Sequence, residues 1–239
     1  MKRRLRINGV IIFCVFLLVT AFPNIFFRND KAAHLNAVAK VCGIAFILLG
    51  QILRVSGRGY KSEHSQNGEV LIQGGPYAVV RNPMYLGILL IGVGIVLMLF
   101  KWWVVCIFLL AFILRYLMLT FKEEKKLSAL FSKDYRDYCK RVPRILPSIT
   151  TIMKTDIVEY LPLKFQWIKK ESGAILAVLL LTLFLISWED IKNAGLNAYI
   201  KEAITIIATV ILFICLVIYL SRRTATIEKD VSNKSQATS

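Results

Sequence analysis

The chain of 239 residues carries a formal net charge of +16, is 56% hydrophobic and has a mean hydropathy of +0.60. Only 19% of its residues are charged, against about 25% in an average soluble domain. Because the apolar residues are grouped in blocks, this composition excludes an ordinary soluble domain and predicts an all-α, polytopic membrane protein.

Six apolar stretches are long enough to cross a membrane as helices, which takes about 17–25 residues. In chain order they are residues 7–27, 35–55, 84–100, 102–121, 172–188 and 202–220. The first follows four basic residues, which is also how a secretory signal peptide begins. Because the run is about a full span long and no small-x-small cleavage site ends it, we expect an uncleaved first helix.

The basic residues of the connecting segments predict the orientation, because cytoplasmic loops are enriched in Lys and Arg. These residues concentrate before the first helix, in a 28-residue loop from 56 to 83 and in residues 122–171, which predicts cytoplasmic termini. The connection at Lys101 is so short that helices three and four should form a tight hairpin. The positive charge then faces anionic lipid headgroups, so it indicates lipid partners rather than nucleic acid.

The cysteines and histidines give no sign of a disulfide framework or a metal site. Four of the five cysteines fall inside apolar stretches, and none is spaced like a pair of metal ligands. The two histidines, His34 and His64, lie in different predicted loops. We therefore expect no metal.

Residues 74–87, GGPYAVVRNPMYLG, place turn and polar residues directly before the third apolar stretch. Asn82 is a suitable N-cap and Pro83 a suitable first helical residue, so the helix should begin there, with N–H groups open to an anion or a carboxylate. Tyr77 and Tyr85 can add ring faces and hydroxyls at the same depth. The same residues also fit an ordinary interfacial anchor. Three glycines of this helix favour close helix packing over ligand contact: Gly87, Gly92 and Gly94.

The fourth apolar stretch contains an ionisable residue, Arg115, about two turns before its predicted cytoplasmic end. Such a residue favours a functional role, with snorkelling toward the interface as the alternative. The acidic pair Glu123 and Glu124 follows. Residues 127–138 then show apolar and aromatic side chains at helical spacing, which predicts an amphipathic helix, opened by the acidic pair, that lies on the membrane or against the 56–83 loop.

In this order, the motifs resemble the isoprenylcysteine carboxyl methyltransferase and phospholipid N-methyltransferase superfamily of membrane enzymes. The shared pattern is a GPY turn, an R-[HN]-P-x-Y-x-G helix start, a helical hairpin, an E-E pair, an L-x3-F-x3-Y-x2-Y run and a V-P-R ending. This chain supplies it with Gly75-Pro76-Tyr77, Arg81-Asn82-Pro83-Met84-Tyr85-Leu86-Gly87, Glu123-Glu124, Leu127, Phe131, Tyr135, Tyr138 and Arg141-Val142-Pro143-Arg144. The resemblance covers roughly residues 40–147.

The resemblance implies methyl transfer from S-adenosyl-L-methionine to a lipophilic acceptor at the cytoplasmic membrane face. Carried onto the matching positions, it implies that the cofactor is bound by Glu69, Val70, Leu71, Ile72, Tyr77, Asn82, Pro83, Met84, Tyr85, Glu123 and Glu124. The start of the third helix and Arg81 suit the methionine carboxylate, and a glutamate can accept from ribose hydroxyls or the α-amino group. We expect Arg81 and Arg115 to serve catalysis, Arg115 by meeting a substrate anion.

Two positions depart from the pattern of the prenylcysteine branch. The histidine of that branch is Asn82 here, so an imidazole acid or base is missing. An arginine expected one turn before the first glutamate is Leu119, and Arg115 is the nearest replacement. The acceptor is therefore left open between the carboxylate of a prenylcysteine-like or other lipid-like molecule and a lipid amine. An NADPH-dependent reductase of the sterol-reductase type and a non-catalytic scaffold are the alternative functions.

The chain divides accordingly into five parts. We expect an N-terminal transmembrane helix and loop (1–34), a methyltransferase core (35–147), a cytoplasmic linker (148–171), two C-terminal transmembrane helices (172–220) and a disordered tail (221–239).

Overall fold

The computed structural model describes residues 21–28, 33–65, 70–144, 147, 160–180, 182, 217–227 and a few single positions between 204 and 229. All regular structure in these ranges is helical, apart from one isolated bridge between Phe27 and Phe100. The all-α prediction is therefore confirmed for the described residues. Most of the first predicted span and parts of the last two lie outside these residues.

Three long helices form the described core: α1 (Ala33–His64), α2 (Pro83–Leu99) and α3 (Trp102–Arg141). Short helical turns occupy Pro23–Phe26 and Gly75–Ala78, and residues 165–180 and 217–227 are helical. Two described helices, Asn36–His64 and Trp102–Arg141, are long and apolar enough to cross a membrane, and Pro83–Leu99 is a shorter apolar helix.

The first two long helices are antiparallel and pack through glycines. A Cβ at Gly50 would lie 2.6 Å from the carbonyl oxygen of Gly87, and a Cβ at Gly43 would lie 2.7 Å from that of Gly94. Small residues let helix backbones approach closely inside a membrane. The expectation that Gly87 and Gly94 serve helix packing is confirmed, and Gly92 likewise packs against Phe108. We call this α1–α2 contact, through Gly43, Gly50, Gly87 and Gly94, the glycine seam.

Helix α1 is longer than the sequence predicted. The expected loop from residue 56 is wrong for its first nine residues, because the helix continues to His64. Two glycines lie in this extension, where neighbouring side chains pack against them: Pro83 and Met84 against Gly57, and Trp167 against Gly59. Glycine is a poor helix former in isolation, but these tertiary contacts keep the extension helical.

Helices α2 and α3 form the predicted tight hairpin, with α2 ending at Leu99 and α3 beginning at Trp102. The segment before α1 lies against this hairpin. The backbone N–H of Arg28 donates to the carbonyl of Leu99 (3.1 Å), and the ammonium group of Lys101 donates to the carbonyl of Asn24 (2.7 Å).

Helix α3 runs from Trp102 to Arg141 with one kink, and the acidic pair lies inside its first part, so the expectation that this pair opens a separate amphipathic helix is wrong. The run Lys-Glu-Glu-Lys-Lys-Leu consists of good helix formers and contains no stop signal. The break occurs later, at Ser132, whose φ of 37° and ψ of −98° are non-helical. This kink turns the last part of α3, which carries Tyr135 and Tyr138, onto the segment before α2.

The C-terminal helical residues pack against α1. Ile52 and Val55 of α1 form a buried cluster with Leu163, Trp167 and Leu220. The hydroxyl of Ser56 donates to the carbonyl of Pro162 (2.8 Å). The carboxylate of Glu171 accepts from two arginines of α1, Arg54 at 3.1 Å and Arg58 at 2.7 Å. These contacts fix the C-terminal segments to the predicted methyltransferase core.

Candidate active site where α2 begins

The turn before α2 is shaped by Tyr60 at the end of α1. Gly75 has a φ of +55°, which disfavours residues with a Cβ, and a Cβ there would lie 2.7 Å from the Tyr60 ring. Tyr77 donates its hydroxyl to the carbonyl of Gly57 (3.2 Å), and Tyr138 donates to the carbonyl of Tyr77 (2.8 Å). The turn is therefore held between the end of α1 and the end of α3.

Helix α2 begins at Pro83 with Asn82 at the N-cap position, as predicted, and the N–H of Leu86 donates to the Asn82 carbonyl (3.2 Å). The Asn82 side chain makes no capping hydrogen bond, however. It interacts instead with the hydroxyl of Tyr116 on α3. The first turn of α2 therefore has no side-chain cap.

Arg81 directs its guanidinium at protein acceptors. It donates to Glu124 (2.8 Å), to the sulfur of Cys139 (3.2 Å), and to the carbonyls of Val142 (2.9 Å) and Cys139 (3.5 Å). Its backbone N–H also donates to the carbonyl of Pro143 (3.0 Å). Arg81 thus ties the segment before α2 to the end of α3.

Glu124 is clamped by a second arginine, Arg144, which donates to both of its carboxylate oxygens, at 3.0 and 2.7 Å. The hydrogen bond to Glu124 raises the pKa of Arg144 above its ordinary value. The guanidinium also lies 4.9 Å from the centre of the Phe121 ring. The Glu124 side chain is only 14% exposed, so two arginines hold a largely desolvated carboxylate. We call Arg81, Glu124 and Arg144 the arginine clamp.

Glu123 has the opposite environment. It lies on the exposed side of α3 and accepts one hydrogen bond, from the hydroxyl of Tyr85 (2.8 Å). Tyr85 in turn packs edge-on against Tyr116, with ring centres 5.4 Å apart. A carboxylate has several acceptor positions, so Glu123 keeps capacity to accept from a ligand. The start of α2 and the acidic pair of α3 therefore converge.

The tyrosines that hold the turn stay protonated. Burial, and secondarily the charge of Glu123, raises the pKa of Tyr77 above its ordinary value. Burial raises the pKa of Tyr138 in the same direction, reinforced by its tyrosine neighbours. Both hydroxyls therefore act as hydrogen-bond donors throughout the physiological range, and neither is suited to serve as a base.

The remaining residues of the predicted site differ in their environments. Glu69 lies outside the described residues, Val70 is 56% exposed, and Ile72 is half-buried. Leu71 packs against the cluster of Tyr135, Tyr138 and Val142, and Met84 lies against Gly57. Arg115 is exposed and has no hydrogen-bond or ion-pair partner among the described residues. It is not part of the cluster around Glu123.

The site contains two residues that the sequence analysis does not predict as site residues, Tyr116 and Arg144. Tyr116 donates its hydroxyl to the carbonyl of Arg144 (2.9 Å) while packing on Tyr85. Arg144 was noted as part of the V-P-R ending, but its carboxylate partner was not predicted. The signal for Tyr116 was its position in helical register with Glu123, seven residues or about two turns later. For Arg144 no local signal names the partner, because it lies 20 residues away in sequence.

These features define a helical membrane protein with a polar cluster of arginines, tyrosines and carboxylates where two apolar helices meet. Residues 38–134 match the model of the phospholipid methyltransferase family, which is part of the isoprenylcysteine and phospholipid methyltransferase superfamily. The predicted resemblance is confirmed. The match indicates methyltransferase activity on a lipid-like substrate.

The matched segment includes most of α1, the turn, α2 and α3 as far as the kink. Neither the curated proteins nor the solved structures compared with the chain contain a match. Arg144 and the C-terminal helical segments lie beyond the matched residues.

Proposed function

We propose that this protein is a multi-pass membrane enzyme that transfers the methyl group of S-adenosyl-L-methionine to a lipophilic acceptor at the cytoplasmic membrane face. The observation that carries the proposal is the 2.8 Å hydrogen bond from Tyr85 to Glu123. This bond brings the uncapped N-terminus of α2 close to a carboxylate that has free acceptor positions. The cofactor needs both, because its α-carboxylate requires hydrogen-bond donors while its α-amino group and ribose hydroxyls require acceptors.

The donors and acceptors present fit this cofactor. The first turn of α2, from Asn82 to Tyr85, suits the α-carboxylate because its N–H groups have no side-chain cap. Glu123 suits the α-amino group or the ribose hydroxyls. Residues 69–72 and Tyr77 complete the proposed set, with Glu124 as the structural neighbour of Glu123. When bound, the cofactor supplies an electrophilic methyl group on a sulfonium centre.

Arg81 is proposed to act as a positioning residue. Its guanidinium donates to three protein residues, and this leaves it little capacity for a ligand carboxylate. Through the arginine clamp it holds the start of α2 at a fixed distance from the α3 glutamates. Correct placement of reacting groups can lower the activation free energy of a reaction by about 7–11 kcal/mol. We therefore assign this positioning to the chain as its main catalytic contribution.

Arg115 is proposed to meet an anionic group of the acceptor. It lies eight residues before Glu123 on α3, which is about 12 Å along the helix, and its exposed guanidinium is accessible from the bilayer side. A carboxylate acceptor would need no general base at neutral pH, whereas an ammonium acceptor would first have to lose a proton. Among the described residues that contact Glu123 there is no histidine to take a proton from an ammonium group, which favours the carboxylate. The phospholipid chemistry of the matched family favours the amine.

The test is transfer of labelled methyl groups. Membranes from cells that express the full chain, and from cells that lack it, are incubated with methyl-labelled S-adenosyl-L-methionine, and the labelled lipids and proteins are then identified. We expect a lipid-soluble product in the expressing membranes only. Base-labile label indicates an ester and therefore a carboxylate acceptor, while base-stable label indicates an amine. Equal labelling of both membranes would contradict the proposal.

Two alternatives are separated by binding measurements on the purified protein. Displacement of labelled cofactor by S-adenosylhomocysteine but not by NADPH supports methyl transfer over a sterol-reductase-like activity. A scaffold that has kept the fold would bind neither molecule. The matched family and the free acceptor positions of Glu123 both favour the enzyme.

A further inference from the structure

An apolar cavity of about 220 Å³ lies beside the turn that precedes α2. Its first wall comes from the family-matched segment: Leu49 and Leu53 of α1, Pro76, Val79 and Val80 of the turn, and Leu86 of α2. Packed protein interiors contain few voids larger than a water molecule. An apolar cavity of about 150 Å³ is already large enough to bind benzene. This cavity is therefore large enough to hold part of a hydrocarbon ligand.

The second wall comes from residues beyond the matched segment, namely Pro147, Tyr160 and Leu161. Tyr160 and Leu161 are held in place by the C-terminal packing, since the neighbouring Pro162 accepts a hydrogen bond from Ser56 of α1 and Leu163 is fully buried. The family-matched core supplies one side of the cavity, and this chain's own C-terminal part supplies the other.

The chemistry of the cavity selects its ligand. Its lining surface is almost entirely carbon, so water inside would lack hydrogen-bond partners. Leu49, at one edge, is 42% exposed on the outer surface of α1, a helix apolar enough to cross the membrane. The cavity is therefore adjacent to a surface that would face lipid chains if α1 crosses the membrane. Two other lining residues, Pro76 and Val80, are fully buried.

The cavity shares its walls with the candidate active site. Pro76 in the cavity wall is followed by Tyr77, and Leu86 is preceded by Tyr85, the partner of Glu123. The turn and the first turn of α2 thus have one face toward the cavity and another toward the proposed cofactor residues. A hydrocarbon chain in the cavity would therefore lie against the same segments that carry the proposed cofactor residues Tyr77 and Tyr85.

We propose that this cavity binds a hydrocarbon chain of the methyl acceptor, and that Tyr160 and Leu161 set which chains it accepts. The identification of the chain's owner as the acceptor rests on the proposed function. The binding of a hydrocarbon chain rests on the cavity alone.

The experiment uses the full chain in phosphatidylcholine nanodiscs that contain a photoactivatable lipid with a diazirine in mid-chain. Three lipids are compared in separate samples: a phosphatidylethanolamine, which has a free amine, a prenylcysteine, which has a free carboxylate, and a phosphatidylcholine, which is already fully methylated. After irradiation, labelled peptides are mapped by mass spectrometry. We expect residues 76–86 and 160–161 to be labelled by one of the first two lipids in excess over phosphatidylcholine.

Two variants reduce the cavity from opposite walls: Leu161→Trp and Leu53→Phe. Each should lose most of the label at the cavity and keep the binding of labelled S-adenosyl-L-methionine, which also shows that the variant is folded. The matched control is Leu176→Trp, at a position that is 56% exposed, and it should keep the wild-type label.

The outcomes separate the two proposals. Label that is confined to the outward face of α3, or that persists at the cavity in both filled variants, overturns the cavity proposal while cofactor binding leaves the function intact. Cavity label from phosphatidylcholine equal to that from the other lipids overturns the assignment to the acceptor. Cavity label in a protein that binds no cofactor supports a hydrocarbon site and contradicts the proposed methyl transfer.

Discussion

The glycine seam and the polar cluster at the start of α2 hold the same helix by different means. At the seam, α2 approaches α1 so closely that a single Cβ at Gly50 or Gly87 would meet backbone atoms at 2.6 or 2.7 Å. At the cluster, α2 is tied to α3 by a few long side chains, through the arginine clamp and the bond between Tyr85 and Glu123. The seam fixes the backbone, and the cluster places chemical groups on it.

Because of this difference, we expect substitutions in the two regions to affect stability and activity differently. Damage at the seam should lower stability and take activity with it. Damage at the exposed end of the cluster should remove activity and leave stability unchanged. The arginine clamp lies between these extremes because it is both partly buried and adjacent to Glu123. The following predictions run from the largest expected effect to the smallest.

Glu123→Ala should lower the rate of methyl transfer by about 10²–10³-fold or more, as removal of one preorganised polar group does in other active sites. Stability should change little, because Glu123 is exposed. Activity is measured with methyl-labelled cofactor and stability by unfolding in mixed detergent micelles. The control is Asp134→Ala, an exposed carboxylate of the same helix, which should retain activity. A Glu123→Ala protein with normal transfer would show that the acidic pair is not the site.

Glu124→Gln should destabilise the protein by about 2–3 kcal/mol, because it leaves two arginines without their carboxylate in a largely desolvated place. We set the value below that of a fully buried pair since the Arg144 side chain is 34% exposed. Equilibrium unfolding of the purified full chain gives the number. Asp137→Asn breaks the exposed ion pair with Lys140 and should cost well under 1 kcal/mol. Equal effects of the two substitutions would contradict the clamp.

Much of this architecture was predictable because the signals were local. The start of α2 at Pro83 follows from the Asn-Pro pair, the hairpin follows from the short connection at Lys101, and the seam follows from the glycine positions in an apolar helix. The convergence of α2 with the acidic pair was predicted only through the family pattern, since the bond between Tyr85 and Glu123 spans 38 residues.

The parts that were not predicted depend on tertiary contacts. Helix α1 continues past residue 56 because Trp167 and Pro83 pack on its glycines, and neither contact is visible in the local sequence. The sequence assigns Arg81 to the cofactor carboxylate, whereas the structure shows its guanidinium donating to Glu124, to the sulfur and carbonyl of Cys139 and to the carbonyl of Val142. The kink at Ser132 could not be predicted, because no proline or glycine lies near it in the sequence.

Gly50→Ala should destabilise the protein by about 1–2 kcal/mol, because the added methyl group overpacks the glycine seam against the backbone of Gly87. Gly173→Ala is the matched control, since nothing lies within 4 Å of the added Cβ there. Both substitutions gain the same helix propensity, so the difference between their unfolding free energies isolates the seam contact. If Gly50→Ala were as stable as Gly173→Ala, the close packing would be wrong.

Tyr138→Phe should cost about 1 kcal/mol, the usual value of one hydrogen bond, through loss of its bond to the Tyr77 carbonyl. It should also change the pH dependence. Burial raises the folded-state pKa of Tyr138 above the ordinary value of 10.0, so the folded protein retains this proton when the unfolded chain has lost it. The stabilisation is complete below pH 10 and declines as the pH rises above it. Unfolding measured from pH 8 to 11 should show a shallower decline for Tyr138→Phe than for the wild type, and an unchanged slope would contradict the assignment.

The most direct measurement is equilibrium binding of labelled S-adenosyl-L-methionine to the purified full chain and to Glu123→Ala. We predict saturable binding by the wild type that S-adenosylhomocysteine displaces and NADPH does not, together with no detectable binding by a folded Glu123→Ala protein. A wild-type protein that is folded and fails to bind the cofactor, or a variant that binds it as well as the wild type, would contradict the claim that the start of α2 and the acidic pair form one cofactor site.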